Sequence, residues 1–318
     1  MSQPSPYSLH EFSVDGANDS WSNLFAFVPT GSRVLDVGCS TGNFGEALEK
    51  LSGCAVTGID IHATDIAVAR TRITRAEVID AADPGALSAL GEFDIIVFAD
   101  VLEHLADPHA ALIEAAACLA PRGSVLFSIP NMAHLSVRID LLEGRFGYTD
   151  VGILDKTHVH FYDREAIERI FADGGLEIVE EKAVLIEYPP QWITNRLAAI
   201  GLSVSEEFFD LLDSTEADVL QFVGRAVPSP TGPTGETRAR LRVFPPEEIN
   251  AYARSVEEDN VRLRAGNSDT VDALRAYNSD LQAQLNALRE RVAYIRAHPV
   301  RAGVQAAARR VEARVRRR

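Results

Sequence analysis

The sequence predicts an α/β fold over residues 1–228, a seven-stranded parallel-type sheet with helices on both faces, followed by a helical extension. Three observations predict it. Short apolar runs alternate with helical segments, the pattern of crossover connections in a parallel sheet. A glycine-rich turn follows the first apolar run and opens the first long helix. Beyond a proline- and glycine-rich stretch, the period changes to that of a heptad repeat.

The elements follow in order. Asp19 or Ser20 caps a short helix carrying Trp21, Leu24, Phe25 and Val28, and Pro29 ends it. Arg33–Val37 reads as a strand, Asn43–Leu51 as a helix, Ala55–Ile59 as a strand, Asp65–Arg72 as a helix and Glu77–Ile79 as a short strand. Phe93–Phe98 is apolar nearly throughout, as strands buried on both faces are. Pro108–Leu119 is helical, the turn Pro121-Arg122-Gly123 ends it, and Ser124–Ile129 is a strand. Residues 130–162 show no clean period and read as a long irregular binding segment. Arg164–Ala172 is a helix, and Glu177–Val184 and Val219–Ala226 are the last strands, with a mostly helical stretch at 191–213 between them.

Residues 229–245 read as a linker. In residues 246–296, Val271, Leu274, Asn278, Leu281, Leu285, Leu288, Val292 and Ile295 recur at steps of three and four, the spacing of a coiled coil. Asn278 falls at an a position, where a buried amide favours two strands, so a homodimer through this segment is expected. The alternative is a helix folded back on the domain. Residues 297–318 form a basic amphipathic tail, with Val300, Val304, Ala307, Val311 and Val315 on one face and seven arginines around them. Such a tail suits peripheral contact with an anionic membrane, or pairing with the chain's own acidic body.

Composition bounds the rest. The 318 residues carry a formal charge of −15, which argues against a nucleic-acid partner. Cys39, Cys54 and Cys118 match neither a zinc nor a disulfide pattern and are expected to be reduced, which points to the cytoplasm. The N-terminus lacks the basic and apolar regions of a secretory signal, and no run approaches the ~20 apolar residues of a membrane span.

The chemistry concentrates at the strand ends. Val34 to Gly45 runs from the first strand through Asp36, Gly38, Ser40 and Gly42 into a helix. Glycines let backbone approach a ligand closely, and the helix start presents free N–H groups. Asp36 before the turn would repel a phosphate but suits the α-ammonium of an amino-acid ligand. Asp60, followed by Ile61, ends the second strand, where an acid accepts hydrogen bonds from ribose hydroxyls. Asp80 follows the third strand, placed to meet an adenine amino group with Ala81 beside it, and Asp100 follows the fourth. Four acids after four successive strands share one explanation, a nucleoside bound along the carboxyl edge of the sheet.

The blocks Val34–Gly45, Gly58-Ile59-Asp60 and Phe93–Leu105 resemble those of class I S-adenosylmethionine (SAM)-dependent methyltransferases, especially ubiquinone-pathway O-methyltransferases and MetW-like proteins. The resemblance spans roughly residues 30–182 and implies a Rossmann-like methyltransferase sheet with SAM as cofactor. It places Asp36 and Gly38 near the methionine end, Asp60 on the ribose, Asp80 at the adenine and Asp100 on the methionine or acceptor side. Ser40 stands where the family usually has a second glycine.

Residues 128–162 resemble a pattern of bacterial methyltransferases encoded near or fused to glycosyltransferases, which commonly have Arg where this chain has His160. The resemblance implies an O-methyltransferase acting on a sugar hydroxyl of a glycan or glycolipid precursor, and a glycosyltransferase as partner. The alternatives are a small-molecule O- or N-methyltransferase of secondary metabolism and a SAM-binding interaction module. A sugar hydroxyl needs a base, and histidine titrates near neutrality. His158 is the first candidate, with Asp155 as orienting partner, followed by His134 and His104; each has a plain structural alternative. Arg138 and Arg145 read as an anion site or as surface partners of Asp140 and Glu143, and Tyr148, Phe161 and Tyr162 as stacking or core residues. No metal-ligand constellation is read; the nearest is Asp150, Asp155 and His158.

Overall fold

A computed structural model describes residues 18–230. The expected coiled coil, the basic tail and nearly all of the linker lie outside those residues.

The seven strands are β1 (Arg33–Val37), β2 (Ala55–Asp60), β3 (Arg75–Val78), β4 (Phe93–Ala99), β5 (Leu119–Pro130), β6 (Leu176–Leu185) and β7 (Val219–Pro228). They form one sheet in the order β3-β2-β1-β4-β5-β7-β6. The first five run parallel, while β7 pairs antiparallel with both β5 and β6. The sheet is therefore mixed, where strand–helix alternation predicts an all-parallel one. The reversal follows from the return through the helical segment between β6 and β7, which brings the chain back as an inserted hairpin arm.

The helices are α1 (Ser20–Phe25), α2 (Asn43–Ser52), α3 (Ala63–Ala69), α4 (Pro108–Ala117), α5 (Leu135–Leu142), α6 (Arg164–Asp173), α7 (Pro190–Ala199) and α8 (Glu206–Ser214). Their starts follow local chemistry. Asp19, Asp107 and Asp163 each accept backbone N–H bonds at the first turns of α1, α4 and α6, and Pro108 sits where a missing N–H costs nothing. Helix α2 ends at Gly53 in the left-handed region at φ 62°. Asn18 ties the chain to the far edge strand, its side chain bonding both backbone groups of Leu185 at 2.7 and 2.9 Å.

Alternation along the central strands puts a core on each face. Leu35, Val37, Ile96, Phe98, Val125, Phe127 and Ile129 pack on one side. Val34, Ile95, Val97 and Leu126 pack on the other, with Leu48 of α2 and Ile66 of α3. A third apolar cluster joins Leu135 and Ile139 of α5 to Ile193 and Leu197 of α7 and to Leu212 of α8. Residues 130–162 thus contain a helix that the sequence reading leaves as irregular. The three cysteines are buried and free.

Candidate active site

Strand β1 lies between β2 and β4, so the connections leaving β1 and β4 diverge and open a crevice at their carboxyl ends. Asp36 sits there on β1, 2% exposed. Its Oδ2 is buried and accepts no hydrogen bond among the described residues. Burial, with the charge of Asp60 second, pushes its carboxyl up to about 7. An orphaned buried acceptor at this edge suits the ammonium group of an amino-acid ligand.

The turn after β1 is held from the next strand. The N–H groups of Gly38 and Cys39 donate to the Ile59 carbonyl at 2.8 and 3.0 Å. Gly38 has φ 73°, and a Cβ there would stand 2.6 Å from Val101 Cγ2, so the loop and the segment after β4 press together where any side chain would intrude. Gly42 caps α2 at φ 79°, with Ala69 3.1 Å from the position of a Cβ.

Asp60 organises the loop from the end of β2. Its Oδ2 accepts the Ser40 N–H at 2.9 Å. Its Oδ1 accepts the His62 N–H at 2.8 Å and lies 2.9 Å from the His62 ring. Ser40 takes φ 46° and its hydroxyl donates to the buried Asp65 at 3.2 Å. Ser40 therefore ties the loop to α3. Ile61 follows Asp60 and is 58% exposed, an apolar face beside the acid. Asp80 accepts the Ala82 N–H at 2.9 Å and is exposed, while Ala81 is buried.

After β4 the backbone turns sharply at Asp100, φ 55°, an uncommon conformation for a residue with a side chain. Its N–H donates to the Ser128 carbonyl and hydroxyl, both at 3.1 Å, and its carboxylate accepts from Gln221. Burial outweighs these bonds and raises the carboxyl to about 7.

Three side chains meet beyond this turn, Glu103, His104 and His158, each with one polar atom within 4.8 Å of those of the other two. Glu103 is 1% exposed, and neither of its oxygens accepts a hydrogen bond among the described residues. Burial, then the charge of Asp100, holds it well above the usual carboxylate range. His158 Nε2 stands 3.9 Å from Glu103 Oε1, and its Nδ1 donates to the Ile153 carbonyl at 3.0 Å. His104 Nδ1 lies 3.2 Å from the Thr157 carbonyl and 3.1 Å from its hydroxyl. The two imidazoles meet edge to face at 4.7 Å. Burial lowers both, so both are neutral and carry a lone pair at pH 7. Tyr162 OH is likewise buried without a partner among the described residues.

The other candidates separate from this group. The bond that fixes the His158 ring is to Ile153; Asp155 instead accepts the Thr157 N–H and hydroxyl at 2.8 and 2.7 Å. Asp155 therefore sets the Thr157 loop on which His104 rests. His134 is fully buried and caps α5, with Nδ1 against Ser136 at 2.8 Å and Nε2 donating to the Ile186 carbonyl at 3.3 Å. Burial pushes it down to about 4, so with both nitrogens engaged its role is structural. Arg145 pairs with Asp140 and Glu143, and Arg138 holds Thr215 at 2.7 and 2.9 Å, so both serve internal contacts. Asp150 pairs with Lys156 at 2.5 Å. Tyr162 is core, while Tyr148 is 60% exposed and packs edge to face on Phe146 at 5.5 Å. Glu103, directly before His104 in the sequence, is the residue that sequence reasoning passed over.

A model described as a methyltransferase domain matches residues 16–181, just over half of the chain. A ubiquinone biosynthesis O-methyltransferase of Aromatoleum aromaticum is 30% identical over 155 residues, and one of Thiobacillus denitrificans is 36% identical over 156. Each match covers 47% of this chain and 66% of the relative, just under two thirds of its length. Among solved structures, a SAM-dependent methyltransferase of Archaeoglobus fulgidus is similar at 20% identity and TM-score 0.45, covering 65% of this chain and 89% of that one. The glycine loop, the orphaned Asp36 and the acids at the ends of β1, β2 and β4 fit the amino-acid nucleoside SAM, and with the match over residues 16–181 they place the chain in the SAM-dependent methyltransferase family.

Proposed function

We propose that the protein is an O-methyltransferase, and that its acceptor is a sugar hydroxyl of a glycan or glycolipid precursor. The observation that carries O-methyl transfer is the Glu103–His104–His158 group, reached two residues after Val101 in the chain, together with the likeness to relatives named as O-methyltransferases. The sugar acceptor rests on the resemblance of residues 128–162 to glycosyltransferase-associated proteins. The exposed Phe146–Tyr148 pair supports it, an aromatic surface of the kind sugar rings stack on.

Bound SAM would supply the methyl group, its carbon–sulfur bond giving way to the bond from the acceptor oxygen and its sulfur taking the electron pair as a neutral thioether. His158 Nε2 would take the hydroxyl proton. That atom is free because Nδ1 is committed to Ile153. A positioned base contributes about 10²–10⁴-fold. His158→Ala is expected to lower kcat by that factor with the Kd for SAM unchanged, and kcat within threefold of wild type rejects the role.

The acceptor is tested by incubating the full chain with methyl-labelled SAM and extracted lipid-linked glycans. Label in the glycan fraction supports the sugar reading. Label only in low-mass soluble material favours the second reading, a small-molecule acceptor, which the names of the relatives support.

A further inference from the structure

We propose that the His62 side chain is a latch on the cofactor site: it fills an acceptor position on Asp60 that ribose hydroxyls need, and it swings away when a nucleoside binds. The proposal rests on the assignment of Asp60 to the ribose of SAM. It follows from a count of donors and acceptors at one carboxylate.

An ionised carboxylate offers about four lone-pair positions, two on each oxygen. Among the described residues, Asp60 Oδ1 accepts two hydrogen bonds, from the His62 backbone N–H at 2.8 Å and from the His62 ring at 2.9 Å. A carboxylate can only accept, so His62 Nδ1 carries the proton of the second bond. Asp60 Oδ2 accepts one, from the Ser40 N–H at 2.9 Å. Oδ1 is therefore full, and Oδ2 has one position left. The two hydroxyls of a ribose need two positions, so one of the present donors has to leave.

The donors differ in how readily they leave. The Ser40 N–H belongs to the loop after β1, where the Gly38 and Cys39 N–H groups are bonded to Ile59 and the Ser40 hydroxyl to Asp65. The His62 N–H belongs to the residue that precedes α3, and the carbonyl of that residue accepts from Asp65 and Ile66 at 3.0 and 3.1 Å. Displacing either means moving a loop or a helix. The His62 ring turns about its own side-chain bonds. Its side chain is 45% exposed and makes no other hydrogen bond among the described residues. It exchanges Asp60 for water at the modest cost of an exposed pair.

The same count decides which ligands feel the latch. A nucleoside with a single ribose hydroxyl takes the open position on Oδ2 and leaves His62 in place. A vicinal diol must displace the ring. The latch therefore weakens the hold on ribose, leaves the hold on 2′-deoxyribose unchanged, and narrows the difference between the two.

The test measures binding to the full chain by calorimetry at pH 8, where the Asp36 carboxyl, raised to about 7, is largely ionised in every variant. The probes are S-adenosylhomocysteine, the demethylated form of SAM, and its 2′-deoxy analogue. His62→Ala is expected to bind S-adenosylhomocysteine about two- to fivefold more tightly than wild type, with the Kd of the 2′-deoxy analogue within about 1.5-fold. His62→Gln, whose amide can still donate to Asp60, should fall between the two. A merely structural role for His62 predicts the opposite sign, a loss of affinity for both ligands. That loss, an unchanged Kd in His62→Ala, or an equal gain for both ligands overturns the latch. Asp60→Asn separates the latch from the assignment beneath it, and should weaken S-adenosylhomocysteine binding about tenfold. If Asp60→Asn binds as wild type does, Asp60 does not meet the ribose and both ideas fall. If it binds more weakly while His62→Ala matches wild type, Asp60 keeps the ribose and only the latch is lost.

Discussion

Gly38 is where backbone geometry and ligand access meet. Its φ of 73° is strained for any other residue, and a Cβ would stand 2.6 Å from Val101 Cγ2. The loop therefore approaches the segment after β4 as closely as a bare backbone allows. Holding a non-glycine residue in this region costs about 1–3 kcal/mol, before the clash is counted. Gly38→Ala is expected to lower stability by about 2 kcal/mol and to weaken SAM binding about tenfold, equivalent to about 1.4 kcal/mol. Adding Val101→Ala relieves the clash but not the φ strain, so it should restore part of each loss. Urea denaturation and SAM calorimetry read both. Wild-type stability and affinity in Gly38→Ala would show that the loop has room for a side chain. The acids around this glycine were legible in the sequence because each stands at the end of an apolar run. Glu103 was not legible as a site residue, since nothing local marks a carboxylate as deprived of partners. That property appears only when the His158 segment folds over it.

Elements differed in how plainly they could be read, for physical reasons. Strands β1 and β4 are apolar apart from Arg33, Asp36 and Asp94, and their bounds agree with the sequence reading within a residue. Strand β5 begins five residues before the expected Ser124, because Pro121-Arg122-Gly123 is absorbed as an irregularity at φ 71° of Arg122 rather than breaking the pairing. Helix α5 was missed because Leu135, Val137, Ile139 and Leu141 alternate with polar residues, a strand-like period, and because its cap is a histidine. The direction of β7 was not legible at all, since alternation records which faces are buried and not which way a strand runs. One side chain ties that hairpin arm to α6. Arg164, at the start of α6, bonds both oxygens of Glu181 on β6 at 2.7 Å, pairs with Glu216 before β7, and lies 4.5 Å over the Phe222 ring. All three charged side chains are at most 16% exposed. Arg164→Ala leaves two largely buried carboxylates without this cation, so a loss of about 3 kcal/mol is expected in urea denaturation. Adding Glu216→Gln should recover part of it. A loss under about 0.5 kcal/mol would place the pair among ordinary surface bridges.

At the scale of the whole molecule, a SAM ammonium seated on Asp36 would couple proton binding, folding and cofactor binding. Its carboxyl is raised to about 7 in the fold by burial and by Asp60, from an ordinary value of 3.8. Between these values the folded chain holds a proton that the unfolded chain has lost. The stabilisation is fully present below about pH 4 and is lost as pH rises through about 7, with an upper bound on the order of 4 kcal/mol. Asp36→Asn should remove this dependence and raise ligand-free stability at pH 8. SAM bound at Asp36 is expected to reverse the sign. Its ammonium favours the ionised carboxylate, so binding below pH 7 must expel the proton. Affinity is therefore expected to climb about tenfold per pH unit from 5 to 7. It should level off, then fall above about pH 8, where an α-amino group loses its own charge. Calorimetry at pH 6 in two buffers of different ionisation enthalpy should register about one proton released per SAM bound by wild type, and none by Asp36→Asn. A flat affinity between pH 5 and 7 would mean that Asp36 is already ionised in the free protein. The ammonium would then meet a carboxylate that is already charged, and binding at pH 6 would release no proton.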